Sequence, residues 1–506
     1  MADDDTHQAA AQGNGASAQP NKLLETYNRL TYETKTEHVD EPLELLSGTL
    51  PTELSGVLFR NGPGRMHVFG YPYRHLFDGD GMVQRFAFDG GSVRYSNRFV
   101  RTRDFVREEQ ARRPLFRSFG TNLPGGQLKN AGRFHFKNAA NTHLLEMDGE
   151  LLALWEGGVP HRLHPSTLET LGTWESDGFL APHYMVEKMM GNARPFAAHY
   201  KREPATGDVF AFALLPGVPQ RLLRYHVPSE RPANGGPRAT TSETTLPRLS
   251  FMHDYVLTAE RDMVFFDVPV SFRLFSTFAG LSSPVGSIVE DRDGPTIIRI
   301  FGEDGTSTTA ETSACYVFHF PNGSRQEDGR LRLLACRMSY FPGAEEIAGM
   351  MKGQLPDRGF YAYLTQFVVD DTSGRVTEER CSDYPMELPS INPAYLGLNN
   401  RYVWAVADHP DRVPNTLLHG VAKFDLETGE TAFADRYPNV VGEPLFVSFP
   451  DSKAEDDGWL LSLQVDVENG RSILELLDAR DLSSLATVLL PEPTHIGFHG
   501  LFSRST

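Results

Sequence analysis

Two of the chain's 17 histidines, His495 and His499, stand four residues apart in PEPTHIGFHGLF. Imidazole is the commonest metal-ligating side chain, so the pair raises the question of one ion gripped by both rings. Positions i and i+4 share a face on a helix and also on a strand, and spacing alone does not decide. The neighbours do. Pro491, Pro493, Gly497 and Gly500 are poor helix-interior residues. The segment reads as extended chain with a tight bend, at most one of the two as a ligand, and co-ligands from elsewhere.

Other histidines occupy unusual surroundings. His199 sits in FAAHYKREPATGD at the mouth of a strand and turn. His253, in LSFMHDYVLTAERDMVFFDVP, has apolar neighbours and an acid after it. His319 lies inside the apolar run CYVFHFPNG. His499, in GFHGLF, has small flanking residues that permit close backbone approach. Four imidazoles suit Fe, Zn, Cu or Ni, and chemistry needing an open position for O2 favours Fe(II) over a tetrahedral structural zinc. Ligating histidines normally donate their second N–H to a carboxylate. Glu156 ends the apolar run LLALWEGG, while Glu387 and Glu443 sit among apolar residues and prolines. An unpaired buried carboxylate is costly, so a cationic shell would explain all three. The plainer alternative is lone strand histidines in the core and glutamates capping surface turns.

The elements that would position these residues are strands. From about residue 50, short runs such as GELLALWEGG, GDVFAFALL, ACYVFHFPNG, RYVWAVADH and GWLLSLQVDV alternate with Gly, Asp, Asn and Pro turns. HRLHPSTLETLGTWE, AKFDLETGETAFAD and ELLDARDLSSLATVLL repeat one strand–turn–strand plan. A supersecondary unit recurring every ~50–70 residues predicts a propeller of six to eight blades, with two stacked β-sandwiches as the alternative. Helical patterning is confined to NKLLETYNRL and GAEEIAGMMKG. The four histidines fall in different units, and inner blade strands converge on one axis.

The 506-residue chain carries a net charge of -18, which argues against nucleic acid and against electrostatic docking on anionic lipid. Three cysteines, Cys315, Cys336 and Cys381, show no CxxC spacing, which points to a reducing compartment without a disulfide frame. Residues 1–20 are small, acidic and polar, and read as a disordered tail without the apolar core of a signal peptide. No run approaches the roughly 18 apolar residues of a membrane helix. The expectation is a cytoplasmic protein with one domain over 21–506, no evident obligate protein partner, and at most peripheral membrane contact.

With these residues laid out, the sequence resembles the carotenoid cleavage oxygenase family, and most of all its bacterial apocarotenoid-cleaving branch. The likeness rests on an ordered set: GVLFRNGPGRMHVFG, HLFDGDGMVQRFAF, KNAANTHLL, LLALWEGGVPHRL, AAHYKREPATGD, HDYVLTAERDMVFFDVP, GEPLFVSFPDSKAEDDGWLLSL and GFHG. The resemblance implies an all-β, seven-bladed propeller with a cap of loops and short helices over one face. It implies one Fe(II) per chain held by His199, His253, His319 and His499, with Glu156, Glu387 and Glu443 holding three of those rings. His495 matches no ligand position. Thr142, in AANTHL, matches a threonine beside the open iron position. Two departures are visible. HFPNGSRQEDG follows His319 where the family has an Asn-Ala-x-Glu run, and Gln84 replaces a histidine after DGDGM.

The implied reaction inserts O2 across a C=C bond of a conjugated polyene and yields two carbonyl fragments. Alternatives are a hydroxystilbene-cleaving relative, a retinoid isomerase and a non-catalytic carotenoid-binding propeller. The stilbene branch is expected to carry a lysine before the first of the three glutamates; here that residue is Trp155. In VPVSFRLFSTFAGL, Phe272, Leu274, Phe275, Phe278 and Leu281 stand near Arg273. They are expected either as an exposed apolar patch that dips into lipid around a tunnel mouth or as a buried cap segment.

Overall fold

The computed structural model describes residues 18–504 apart from 175, 191–192, 218, 232–237, 356–360 and 413–416. Most of the tail expected over 1–20 lies outside the described residues. Ala18–Thr31 form the first helix, so the last three residues of that expected tail are helical.

Among the described residues the strands form seven antiparallel blades in chain order, the fifth and sixth joined through a shared strand, with two further two-stranded pairs in the connections; this is the expected seven-bladed β-propeller. In the first blade, Gly56–Arg65 pairs outward with Asp80–Asp89 and inward with the C-terminal strand Gly500–Ser503. The chain's two ends therefore meet in one sheet, and the N-terminal strands His38–Pro42 and Glu44–Gly48 finish the outer edges of the first and seventh blades. This closure joins blades that are remote in sequence.

Strand position follows residue type. Gly458–Asp466, in the seventh blade, is buried along all nine residues. Leu460, Leu461, Leu463 and Val465 are at most 1% exposed, and each such side chain contributes about 1.5–3 kcal/mol on burial. Outer strands are polar instead: TTSETTL at Thr240–Leu246 and STTAET at Ser307–Thr312 are mostly exposed. The three repeated segments are the outer hairpins of the second, sixth and seventh blades.

The structure differs from expectation at the inner strands. The run around His319 is not one strand. Tyr316–Val317 and Gly323–Arg325 both pair with Leu331–Met338, and His319 occupies the gap. Val440–Val441 and Leu445–Ser448 likewise share Gly458–Asp466, with Glu443 between them. Arg375–Ser390 serves two blades, outermost in the fifth and innermost in the sixth. Its pairing shifts between Glu387 and Ser390, and Leu388 adopts a positive φ of 51°. Bulges and breaks of this kind re-aim a side chain out of a ladder. Short helices, among them Leu274–Phe278 and Ala344–Met350, occupy the connections.

Candidate metal centre

Each blade carries one candidate polar residue at the start or the break of its innermost strand. In order these are His499, Thr142, His199, His253, His319, Glu387 and Glu443. His199, His253 and His319 offer nitrogens that all lie within 4.8 Å of one another. The His499 ring centroid stands 4.7 Å from that of His199 and 4.9 Å from that of His319. All four expected rings thus meet. His495 points elsewhere: its Nδ1 accepts the Gly497 N–H at 3.0 Å.

Carboxylates stand behind three of the rings. His319 Nδ1 donates to Glu387 Oε2 at 2.5 Å and His499 Nδ1 to Glu443 Oε1 at 2.8 Å. His253 Nδ1 lies 3.3 Å from Glu156 Oε2, a looser pairing. A ring whose Nδ1–H faces a carboxylate turns an Nε2 lone pair to the centre. His199 Nε2 and His253 Nε2 come within 3.0 Å of each other, and the buried His319 Nε2 has no partner among the described residues. Converging lone pairs repel unless a cation or proton lies between them, so this donor set fits a divalent metal such as Fe(II).

Burial, reinforced by the neighbouring rings of His253, His499, His319 and His143, holds His199 far below the usual imidazole range. Neutral imidazole is the form a metal takes. Burial acts to raise the Glu443 carboxyl, but His499 and Arg60 outweigh it and bring it down to about 2. Burial opposes ionisation of Glu387 too, and His319 outweighs it.

Three participants were not read from the sequence. Arg60, 1% exposed in the apolar strand VLFRN, donates Nη1 to Glu443 Oε2 at 2.5 Å. The signal was a lone cation in an apolar strand. Asp254 accepts the Phe320 N–H at 2.9 Å, lies 2.9 Å from Lys201 Nζ and stands 3.9 Å from His199 Nδ1. It puts negative charge behind the fourth ring at a distance too long for a hydrogen bond. Its signal was the acid directly after His253. His143, a fifth imidazole, has its ring 5.1 Å from His499.

His253, His319 and His499 line a cavity of about 510 Å³ whose walls are mainly aromatic and aliphatic side chains. Thr142, Trp155 and Glu156 line it. The Thr142 hydroxyl donates to Asn141 Oδ1 at 3.0 Å, so its hydrogen is already engaged. The segment expected either as a lipid-facing patch or as a buried cap divides. Phe272 and Phe278 are half-buried and line the cavity, as the buried alternative has it. Phe275 and Leu281 face outward at 81% and 60% exposure. A five-residue helix has two sides, and only one can look into the cavity.

Comparison with known proteins agrees with this geometry. The retinal pigment epithelial membrane protein family matches residues 32–504. The apocarotenoid-15,15'-oxygenase of Synechocystis sp. is 31% identical over 486 residues, covering 94% of this chain and 95% of that protein. A carotenoid 9,10(9',10')-cleavage dioxygenase of Arabidopsis thaliana is 28% identical over 501 residues, covering 90% of this chain and 85% of that protein. The crystal structure of the cobalt-substituted Synechocystis apocarotenoid oxygenase superposes with a TM-score of 0.86 at 30% identity, covering 96% of this chain and 99% of that one. The chain belongs to the retinal pigment epithelial membrane protein family, the carotenoid cleavage oxygenases.

Proposed function

We propose that this protein is a non-haem Fe(II) dioxygenase that cleaves one C=C bond of an apocarotenoid with O2, giving two carbonyl products. The observation that carries this reading is the cluster of four imidazoles, three of which, His253, His319 and His499, stand at the wall of an aromatic-lined cavity. His199, His253, His319 and His499 would hold the metal, with Glu387 and Glu443 fixing two rings and Glu156 facing a third. Fe(II) bound there supplies O2 activation. O2 and the alkene together contain every atom of the two carbonyls, so neither reductant nor acid–base pair is needed.

The chain's own part is to position and shield. Phe77 and Phe251 lie parallel to the His253 ring at interplanar angles of 3°, and Phe318 meets it edge-on. These walls exclude water and hold a flat polyene beside the histidines, so that cavity depth selects the bond, an effect of orientation. Thr142 narrows the approach without offering a free hydroxyl hydrogen. Trp155, 8% exposed at the cavity wall, offers no cationic handle for a phenol, which favours a polyene over a hydroxystilbene.

The substrate is apolar and must be collected from lipid. Phe275 and Leu281 supply outward apolar surface, and Leu128, 94% exposed, adds to it. The short helix bearing Leu128 adjoins this segment, since Gly132 N–H donates to Phe278 O at 3.0 Å. Among the described residues no helix is long and apolar enough to cross a membrane. Contact through this patch would be peripheral and, with a charge of -18, apolar in origin.

The test is incubation of Fe(II)-loaded protein with apocarotenals in air and under nitrogen, with products read by mass spectrometry. Two carbonyl fragments that require O2 and vanish in His253→Ala are expected. An intact polyene in air would overturn the oxygenase reading, and a geometric isomer formed without O2 would replace it with isomerisation.

A further inference from the structure

Three of the four segments that carry the rings meet at one carboxylate, Asp254. It is buried and follows His253 directly in the fourth blade. Its Oδ2 accepts the N–H of Phe320, the residue after His319 in the fifth blade, at 2.9 Å. The same oxygen accepts from Nζ of Lys201, two residues beyond His199 in the third blade, at 3.2 Å. Oδ1 lies 2.9 Å from that ammonium and 3.9 Å from His199 Nδ1, and takes no well-directed hydrogen bond among the described residues.

Glu443 repeats this plan between the seventh and first blades. It accepts the N–H of Gly500, the residue after His499, and pairs with the Arg60 guanidinium. Each carboxylate thus takes a cation from a neighbouring blade and the N–H directly after a candidate ligand. A buried ion pair is weak evidence for stability, because desolvation offsets the attraction, so stability alone does not account for the recurrence. Lys201 has no other carboxylate partner among the described residues, and no other carboxylate oxygen there comes within 4.0 Å of a His199 nitrogen. Neither Asp254 nor Lys201 lines the cavity, so the pair can act on the rings and not on a substrate.

We propose that Asp254 is a positioning residue of the metal centre, holding the His199, His253 and His319 segments in register, and that Lys201 limits the charge it presents to the ion. This inference rests on the metal-centre reading above and deepens it. Groups behind ligating histidines fix ring orientation and raise ligand basicity, and His199 is the one ring without a glutamate behind it. The Lys201 ammonium is held to the same carboxylate and so competes with the ion for its charge. Neutralising Asp254 and removing the ammonium therefore move metal affinity in opposite directions, although each breaks the same buried pair and each costs stability. A pair with a purely structural role would move the affinity the same way in both, or not at all.

The test uses the full-length protein stripped of metal and titrated with Co(II), the ion of the cobalt-substituted Synechocystis structure. Competition with a chromogenic chelator reads affinity, and the urea midpoint of the metal-free form reads stability. Asp254→Asn keeps an oxygen for the Phe320 N–H and removes the charge; it should weaken Co(II) binding about 10–100-fold. Lys201→Met removes the ammonium and keeps the stem; it should tighten binding about threefold or more. Both should lower the metal-free midpoint. If Asp254→Asn does not fold, the double variant, which removes both charges together, is compared with Lys201→Met and should bind about tenfold more weakly or worse. Unchanged affinity in Asp254→Asn, or unchanged or weaker binding in Lys201→Met, overturns the assignment. His253→Ala separates the two readings: Co(II) binding that survives it removes the metal centre itself, whereas binding lost there yet indifferent to Asp254 removes only the positioning role.

Discussion

Glu443→Gln and Glu387→Gln are the same change behind two adjacent histidines, yet their surroundings demand different outcomes. Both oxygens of Glu443 are committed to donors: Oε1 to His499 Nδ1–H, and Oε2 to Arg60 Nη1 and the Gly500 N–H. A glutamine here must turn its NH2 on one of those donors in either orientation. With its carbonyl kept toward His499, the Arg60 guanidinium is left buried without its counter-charge. Removing one partner of a buried pair costs about 3–5 kcal/mol, a large part of the 5–15 kcal/mol that holds an ordinary domain together. Glu387 is different. Oε2 alone accepts, from His319 Nδ1–H and the Leu388 N–H, while Oε1 has no partner. Glutamine can keep the carbonyl at the Oε2 position and place NH2 where nothing is satisfied now, for about 1 kcal/mol or less. Both changes remove a charge behind a ligand and should weaken iron binding about 10–100-fold. Urea midpoints on the metal-free variants separate stability from metal linkage, and competition with a chromogenic chelator reads iron affinity. Equal midpoints for the two variants would refute the argument that the Arg60 pairing, and not the loss of charge at the histidine, dominates at Glu443.

Three further outcomes follow from the same geometry. Phe275→Ser with Leu281→Ser should abolish co-sedimentation with liposomes while moving the midpoint by no more than about 0.5 kcal/mol per site, because both side chains already face solvent; unchanged co-sedimentation in the folded variant rejects the patch. Leu463→Ala should cost about 2–5 kcal/mol, since Leu463 is fully buried in the seventh blade, and a midpoint like the parent's would show that the blade collapses around the change. Burial raises the Asp78 carboxyl from 3.8 to about 7, against its hydrogen bonds from Thr121 and Gly120. The folded state thus keeps a proton that the unfolded chain has released, and this group's contribution to stability falls as pH rises from about 4 to 7. Asp78→Asn should flatten that part of the stability profile, and an unaltered slope would place the titration elsewhere.

Much of the architecture was legible because it is written locally. Turn residues between apolar runs mark strands, and three of the repeated segments are outer hairpins of blades. The strand around His319 was misread for a physical reason. Its residue types favour a ladder, but the gap between two short strands is set by how both pair with Leu331–Met338, a non-local relation. Arg60 and Asp254 were passed over for the same reason, since a lone charge in an apolar run shows its purpose only when its partner, Glu443 or Lys201, arrives from another blade.

The sequence by itself determined the family, the strand-rich repeat, and which histidines and glutamates stand in places where their chemistry would otherwise be wasted. These are properties of residue type and local order, carried by short-range sterics and periodicity. Only the tertiary structure decided that the four rings meet, that Glu156 stands back at 3.3 Å while Glu387 closes to 2.5 Å, and that Phe272 and Phe278 turn inward while Phe275 turns out. It also decided that Asn28 and His495, 467 positions apart in the chain, line the same cavity. The closure of the first and last blades brings these residues together, and no local pattern encodes a distance between chain ends.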